Sequence, residues 1–184
     1  SLCKHCNHFN GRHDDTKEFA EFLYADSDGE DYSKNYLNNY DDRVHDIYTP
    51  KAQFLKEVLD HYQELEFSVT DIGCGGGHFV KACENENIMA TGYDVNKELI
   101  SLGSTKLNEN KIFYKNLDLI NQLIQETNTK VLSLVGVLEH LMDPIGALQA
   151  FQNSKADYLY LQVPLFSFAA IQESTHDDVF PRQL

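Results

Sequence analysis

Positive charge is scarce in this sequence: 15 Lys and Arg stand against 29 Asp and Glu, for a formal net charge of −14. Proteins that hold nucleic acid or acidic membrane surfaces neutralise phosphate with clustered Lys and Arg, so neither is an expected partner. The acids crowd the first fifty residues, at Asp14, Asp15, Asp26, Asp28, Asp31, Asp41 and Asp42. Long apolar runs are also missing. None approaches the roughly 20 residues that span a bilayer, and the first residues (Ser1, Leu2, Cys3, Lys4, His5) do not form a signal peptide. The cytoplasm is therefore the expected location. The chain also lacks an initiating Met, as a processed or engineered fragment would. Internal repeats and low-complexity tracts are absent.

Cysteine is sparse too, with four residues: Cys3, Cys6, Cys74 and Cys83. Cys3 and Cys6 form a C-x-x-C with His5 and His8 beside it, which is half of a zinc site. A second C-x-x-C is missing, so a complete tetrahedral site is not read here and no metal is predicted. A frayed terminus is the other reading of this stretch.

What the chain does have is an alternation of strand and helix. Residues 1–48 read as an acidic N-terminal segment with Tyr24, Tyr32, Tyr36, Tyr40 and Tyr48 spread through it, the remnant of a zinc-binding module or a lid. Residues 49–184 read as an α/β core. Thr49 is a cap candidate and Pro50 suits a first helical turn. Phe54, Leu55, Val58, Leu59, Tyr62 and Leu65 then follow helical spacing. Strands are predicted over 67–72, 88–94, 111–115, 131–137 and 158–163. Helices are predicted between them over 78–85, 97–103, 119–126 and 144–151. Such alternation implies a mostly parallel sheet with helices on both faces, a Rossmann-like α/β fold.

The strongest local feature is Asp71-Ile72-Gly73-Cys74-Gly75-Gly76-Gly77, closing the first strand and opening a helix. Glycines suit a tight turn and let a ligand approach the backbone, although many strand-to-helix turns need glycine for geometry alone. Asp94 closes the second strand in Thr91-Gly92-Tyr93-Asp94. Two roles are open to it: accepting hydrogen bonds from both hydroxyls of a ribose, or capping the helix that begins near Lys97. A nicotinamide dehydrogenase would show G-x-G-x-x-G, but its third glycine falls on His78 here.

Taken with Asn116-Leu117-Asp118-Leu119 and Val137-Leu138-Glu139-His140-Leu141-x-Asp143-Pro144, these motifs resemble the class I SAM-dependent methyltransferases (SAM, S-adenosylmethionine). The resemblance is to the small-molecule branch with a Leu-Glu-His-Leu motif and covers residues 67–164. It implies SAM as cofactor, with Asp71, Gly73, Cys74, Gly75 and Gly77 around the methionine moiety. Asp94 would hold the ribose, Val95 would flank the adenine, Asp118 and Leu119 would meet its edge and ring, and Glu139 would face the methionine end. Methyl transfer mainly needs alignment, and an oxygen acceptor also benefits from a general base. His140 and His176 are the candidates for that base, since imidazole titrates near about 6.5; a purely structural role is the alternative for His140.

After the fourth strand there is no Asn/Asp-Pro-Pro-Tyr signature, which makes amide and adenine-N acceptors poor candidates. The C-x-x-C, Tyr32 and Tyr36 are similar to sugar-methylating enzymes of nucleotide-sugar and surface-polysaccharide pathways, implying a glycan-precursor acceptor. The C-terminal hairpin of strands six and seven, usual in class I methyltransferases, is not visible after Val163. The exposed edge left behind would invite a second copy, so a homodimer is expected. A SAM-binding protein without catalysis, or the partner of an active subunit, is the alternative function.

Overall fold

The computed structural model describes residues 16–20, 38–108 and 110–164. Five strands form one sheet: β1 (Ser68–Ile72), β2 (Met89–Asp94), β3 (Ile112–Tyr114), β4 (Val131–Val135) and β5 (Tyr158–Gln162). Their order is β3-β2-β1-β4-β5 and every pairing is parallel. The chain therefore starts in the middle of the sheet, runs outward to β3, and returns to β4 on the other side of β1. That reversal places a switch point between β1 and β4, where crevices open at the carboxyl ends of strands. Strands six and seven are not among the described residues, and none of the described helices is long and apolar enough to cross a membrane.

The helices are α1 (Lys17–Ala20), α2 (Tyr40–Arg43), α3 (Thr49–His61), α4 (His78–Asn85), α5 (Lys97–Ser104), α6 (Ile120–Glu126) and α7 (Pro144–Gln152). Side chains alternate across the strands and serve two cores. Val69 and Val131 face Tyr40, Val44, Leu55, Leu59, Phe79 and Val80, while Ile72, Leu132 and Leu134 face Ile120, Ile124, Ala147 and Ala150. Helices thus cover both faces, as the strand–helix alternation predicts.

Three details differ from the sequence reading. Thr49 does not cap a helix, because α2 runs through a π-helical turn (Val44–Tyr48) directly into α3. Tyr40 and Val44, from the acidic N-terminal segment, are buried in the first core. The inward stripe of α3 is Ala52, Leu55 and Leu59. Phe54, within the helix but off that stripe, is 57% exposed, and Tyr62 and Leu65 are 63% and 76% exposed because the helix ends at His61 and the expected periodicity overran it.

Glycine sets one close approach that positions the site. Gly103 of α5 lies against the backbone of Gly76, where an added Cβ would collide with the Gly76 carbonyl oxygen and sit 2.7 Å from its Cα. Backbone cannot yield as a flexible side chain can. Gly103→Ala should therefore destabilise the fold by about 1–3 kcal/mol despite alanine's better helix propensity. A lowered urea midpoint checks this; a midpoint at or above wild type would show that α5 does not clamp the loop.

Candidate functional site

The glycine turn after β1 gets its shape from three left-handed glycines, Gly73 (φ 74°), Gly75 (φ 53°) and Gly77 (φ 79°). The Gly73 and Cys74 N–H groups donate to the Tyr93 carbonyl at 2.8 and 3.1 Å, which ties the turn to β2. Gly77 stands at the N-cap of α4 and packs towards Ile112 and Leu107.

Asp94, at the tip of β2, is buried. Its Oδ2 accepts the Gly75 N–H at 2.7 Å and its Oδ1 accepts the Asn96 N–H at 2.8 Å. The cap of α5 is Asn96, whose Oδ1 accepts the Leu99 N–H at 2.9 Å, so capping by Asp94 is replaced by capping from its neighbour. Burial pushes the Asp94 carboxyl above its ordinary range, against the pull of the Asn96, Gly75 and Val95 backbone N–H groups. A carboxylate offers about four lone-pair sites, so acceptor capacity remains for a ligand beyond these backbone donors.

A cavity of about 330 Å³ opens at the carboxyl ends of the strands, the size of a small-ligand site. Among the expected site residues it is lined by Gly73, Gly75, Asp94, Val95, Glu139 and His140. Glu139 and His140 sit in a 3-10 turn (Leu138–His140) reached through left-handed Gly136, because β4 stops at Val135 rather than 137. His140 Nε2 lies 3.9 Å from Glu139 Oε1.

The other expected residues do not line the cavity. Asp71 is fully enclosed beneath it, and its Oδ1 accepts the Ser133 hydroxyl at 2.6 Å across the β1–β4 pair. Burial pushes the Asp71 carboxyl up to about 7; Asp94 adds to the rise while Ser133 and Lys51 oppose it. Cys74 is buried, in contact distance of Gly92, where an added Cβ would meet its Sγ at 2.7 Å. Burial and the two nearby acids push its thiol well up, so it is no nucleophile. Asp118 is exposed and pairs with Lys17 of α1 at 2.7 Å, and Leu119 is exposed in the turn before α6. Only the next residue, Ile120, reaches the cavity. His176, Cys3, Cys6, Tyr24, Tyr32, Tyr36 and Phe166–Ile171 lie outside the described residues.

Four polar lining residues were not among the expected site residues: Arg43, Tyr48, Lys51 and Gln162. The first three come from the π turn and its flanks, an irregularity that recurs at functional sites but leaves no periodic signal. Tyr48 stacks on His78 at 5.2 Å, and Lys51 Nζ lies 4.6 Å from the Tyr48 ring centre. His78, also against Tyr40 at 4.2 Å, is buried; burial, with Arg43, pulls its pKa down to about 3, so the stack is held by a neutral ring. Burial lowers the Lys51 pKa, Asp71 opposes this, and Arg43 adds to it.

Asp71 makes the site pH-dependent. Its folded pKa lies above the unfolded carboxyl value, so the native state holds the proton more tightly. Its contribution is present at low pH and is lost as pH rises towards 7. Asp71→Asn, which keeps an acceptor for Ser133, should remove that loss, on the order of 3 kcal/mol between pH 4 and 8. Urea midpoints at both pH values test this: a variant that loses stability as wild type does would exonerate Asp71.

Residues 36–179 match a family model described as a methyltransferase domain. No curated protein matches the chain at a significant level. Among solved structures, magnesium protoporphyrin IX methyltransferase from Synechocystis PCC 6803 with bound S-adenosylhomocysteine (SAH) is similar at 14% identity and a TM-score of 0.61, over 85% of this chain and 76% of that one. A plantazolicin methyltransferase in complex with a triazolic analogue and SAH aligns at 18% identity and a TM-score of 0.55, over 72% of this chain and 50% of its own. An amino pentose methyltransferase from Micromonospora echinaspora with bound SAM aligns at 13% identity and a TM-score of 0.54, over 71% and 57%. The chain spans about half the length of the plantazolicin methyltransferases it matches. At these identities the likeness is one of fold.

Proposed function

The chain belongs to the methyltransferase-domain family, and from that premise we propose that its cavity binds SAM and serves methyl transfer to a small-molecule acceptor. The observation that carries this reading is the coincidence of three features at one end of the sheet: a left-handed glycine turn, a buried strand-tip carboxylate with acceptor capacity left, and a ligand-sized cavity lined by both.

The lining chemistry fits the cofactor along its length. Asp94 would accept the ribose hydroxyls, while Val95, Leu99 and Ile120 offer apolar cover for the adenine. Gly73 and Gly75 leave backbone bare at the methionine portion, where Glu139 supplies a negative charge for cationic groups. Arg43 and Lys51 supply positive charge for the carboxylate. Asp71, Cys74 and Gly77 act from below by shaping the turn. Asp118 and Leu119 would reach the adenine edge only if the Lys17 pair opened.

When bound, SAM supplies an activated methyl group on sulfonium. The chain's own task is then to align the acceptor and exclude water. His140, at the cavity wall, would take the proton that an oxygen acceptor releases. The glycan-precursor acceptor, the cytoplasmic location and a homodimer through the β5 edge are carried over from the sequence. Leu161 and Val163, exposed at that edge, agree with the last. A SAM-binding role without catalysis would give the same cofactor affinity but no product.

Calorimetric titration with SAH, with NADH as control, tests the reading. Wild type should bind SAH with saturation and Asp94→Ala should weaken it by at least tenfold, the scale of a lost charged hydrogen bond. No saturable binding to folded wild-type protein would refute the cofactor assignment. With an acceptor that is turned over, His140→Asn should lower kcat by about 100-fold or more and leave SAH affinity within twofold. An unchanged kcat would reduce His140 to a structural role.

A further inference from the structure

Asp71 stands on the central strand, paired with Gly92 of β2 on one side and Ser133 of β4 on the other. It is 2% exposed, yet the next two residues, Ile72 and Gly73, line the cavity. The hydrogen bond it accepts comes from the Ser133 hydroxyl, on Oδ1 at 2.6 Å. That bond does not call for an acid. An amide oxygen accepts the same hydroxyl and brings no charge to desolvate.

The glycine turn therefore lies between two enclosed carboxyls, Asp71 behind it and Asp94 bonded to its Gly75 N–H, with the cavity in front. Lys51 of α3 is the cation that acts on Asp71, and burial outweighs it. Arg43 acts on Lys51 in turn. The other groups facing Asp71 are Cys74 in the turn, Cys83 on α4 and Tyr160 on β5, all pushed up by burial and neutral. An enclosed acid short of positive charge is stabilised in its ionised form by any cation brought near it. The cavity side of the turn is where a ligand can bring one.

We propose that Asp71 is the residue that separates substrate from product, favouring a sulfonium at the turn over the neutral thioether that methyl transfer leaves. This rests on the methyltransferase reading and deepens it. SAM and SAH differ by one methyl and one positive charge, because the carbon–sulfur electron pair stays with sulfur when the methyl departs. Adenine, ribose and amino acid are common to both, so hydrogen bonds to those parts do not tell the two apart. A buried charge behind the turn does, since the field between charges is strong where water is excluded. Asp71 gives a proton to solvent as the sulfonium binds and takes one back when the thioether replaces it. It lines no part of the cavity, so its influence is electrostatic.

The test is calorimetric titration with SAM and, separately, with SAH at pH 5.5, 6.5 and 7.5. In wild type the Kd of SAH divided by that of SAM should grow by about threefold or more from pH 5.5 to 7.5, as Asp71 ionises. At pH 6.5 SAM should release more protons than SAH, read from the heats in two buffers of different ionisation enthalpy. In Asp71→Asn the ratio should stay level and the two ligands should release protons equally, which also subtracts any titration of Asp94 or of the ligands. Ser133→Ala, which removes the donor to Asp71, should move the rise to higher pH and keeps the assignment testable if the first variant folds poorly. A level ratio in wild type overturns the proposal, as does a rise that persists in Asp71→Asn or that Ser133→Ala leaves in place. In each of those cases both ligands bind and the methyltransferase reading stands. No saturable binding of either ligand fells that reading, and the proposal with it.

Discussion

The arrangement hangs on a single carboxylate. Asp94 grips the glycine turn through the Gly75 N–H and the start of the next loop through the Asn96 N–H. Asn96 in turn caps α5, and α5 returns Gly103 to the backbone of Gly76. Turn, strand tip and helix thus form a closed circuit around a few residues. Charge-assisted bonds of this kind are about twice as strong as neutral ones, which offsets part of the cost of burying the acid, although burial still raises its pKa. The circuit also leaves Asp94 lone pairs for a ligand. The residue that builds the turn is therefore the residue that would read the ribose.

Beneath that circuit lies a second buried acid with a different role. Asp71 faces Ser133 rather than the cavity, and the raised pKa of its carboxyl shows that burial outweighs its one strong hydrogen bond. Lys51 adds positive charge from the N-terminal helical run, where the neutral His78 ring stacks on Tyr48. In a chain of net charge −14, the cavity draws its cations, Arg43 and Lys51, from this run. The run thus belongs to the site as much as the glycine turn does.

Most of the fold was legible because the signals are local. Buried central strands read as apolar runs, and the order of motifs followed the order of strand tips. Boundaries slipped where a single residue decides them. β4 ends two residues early at left-handed Gly136, and α3 ends at His61 although apolar residues continue to Leu65. Part of the cavity wall was legible for the same reason: Gly73, Gly75, Asp94, Val95, Glu139 and His140 follow strand ends. Arg43, Tyr48 and Lys51 were not, because a π turn fits neither helical nor strand periodicity. Gln162 was hidden differently. Nothing in Tyr-Leu-Tyr-Leu-Gln-Val distinguishes a strand-end glutamine in solvent from one at a cavity wall.

The central claim is that the cavity between the β1 turn, the β2 tip and the β4 end is where SAM sits. A crystal structure of the chain grown with SAH tests it most directly. The account predicts the ribose hydroxyls within hydrogen-bond distance of Asp94, the adenine against Val95, and the homocysteine along Gly73 and Gly75 towards Glu139. SAH bound at another surface, or the nucleoside reversed with its adenine towards Gln162, would contradict it.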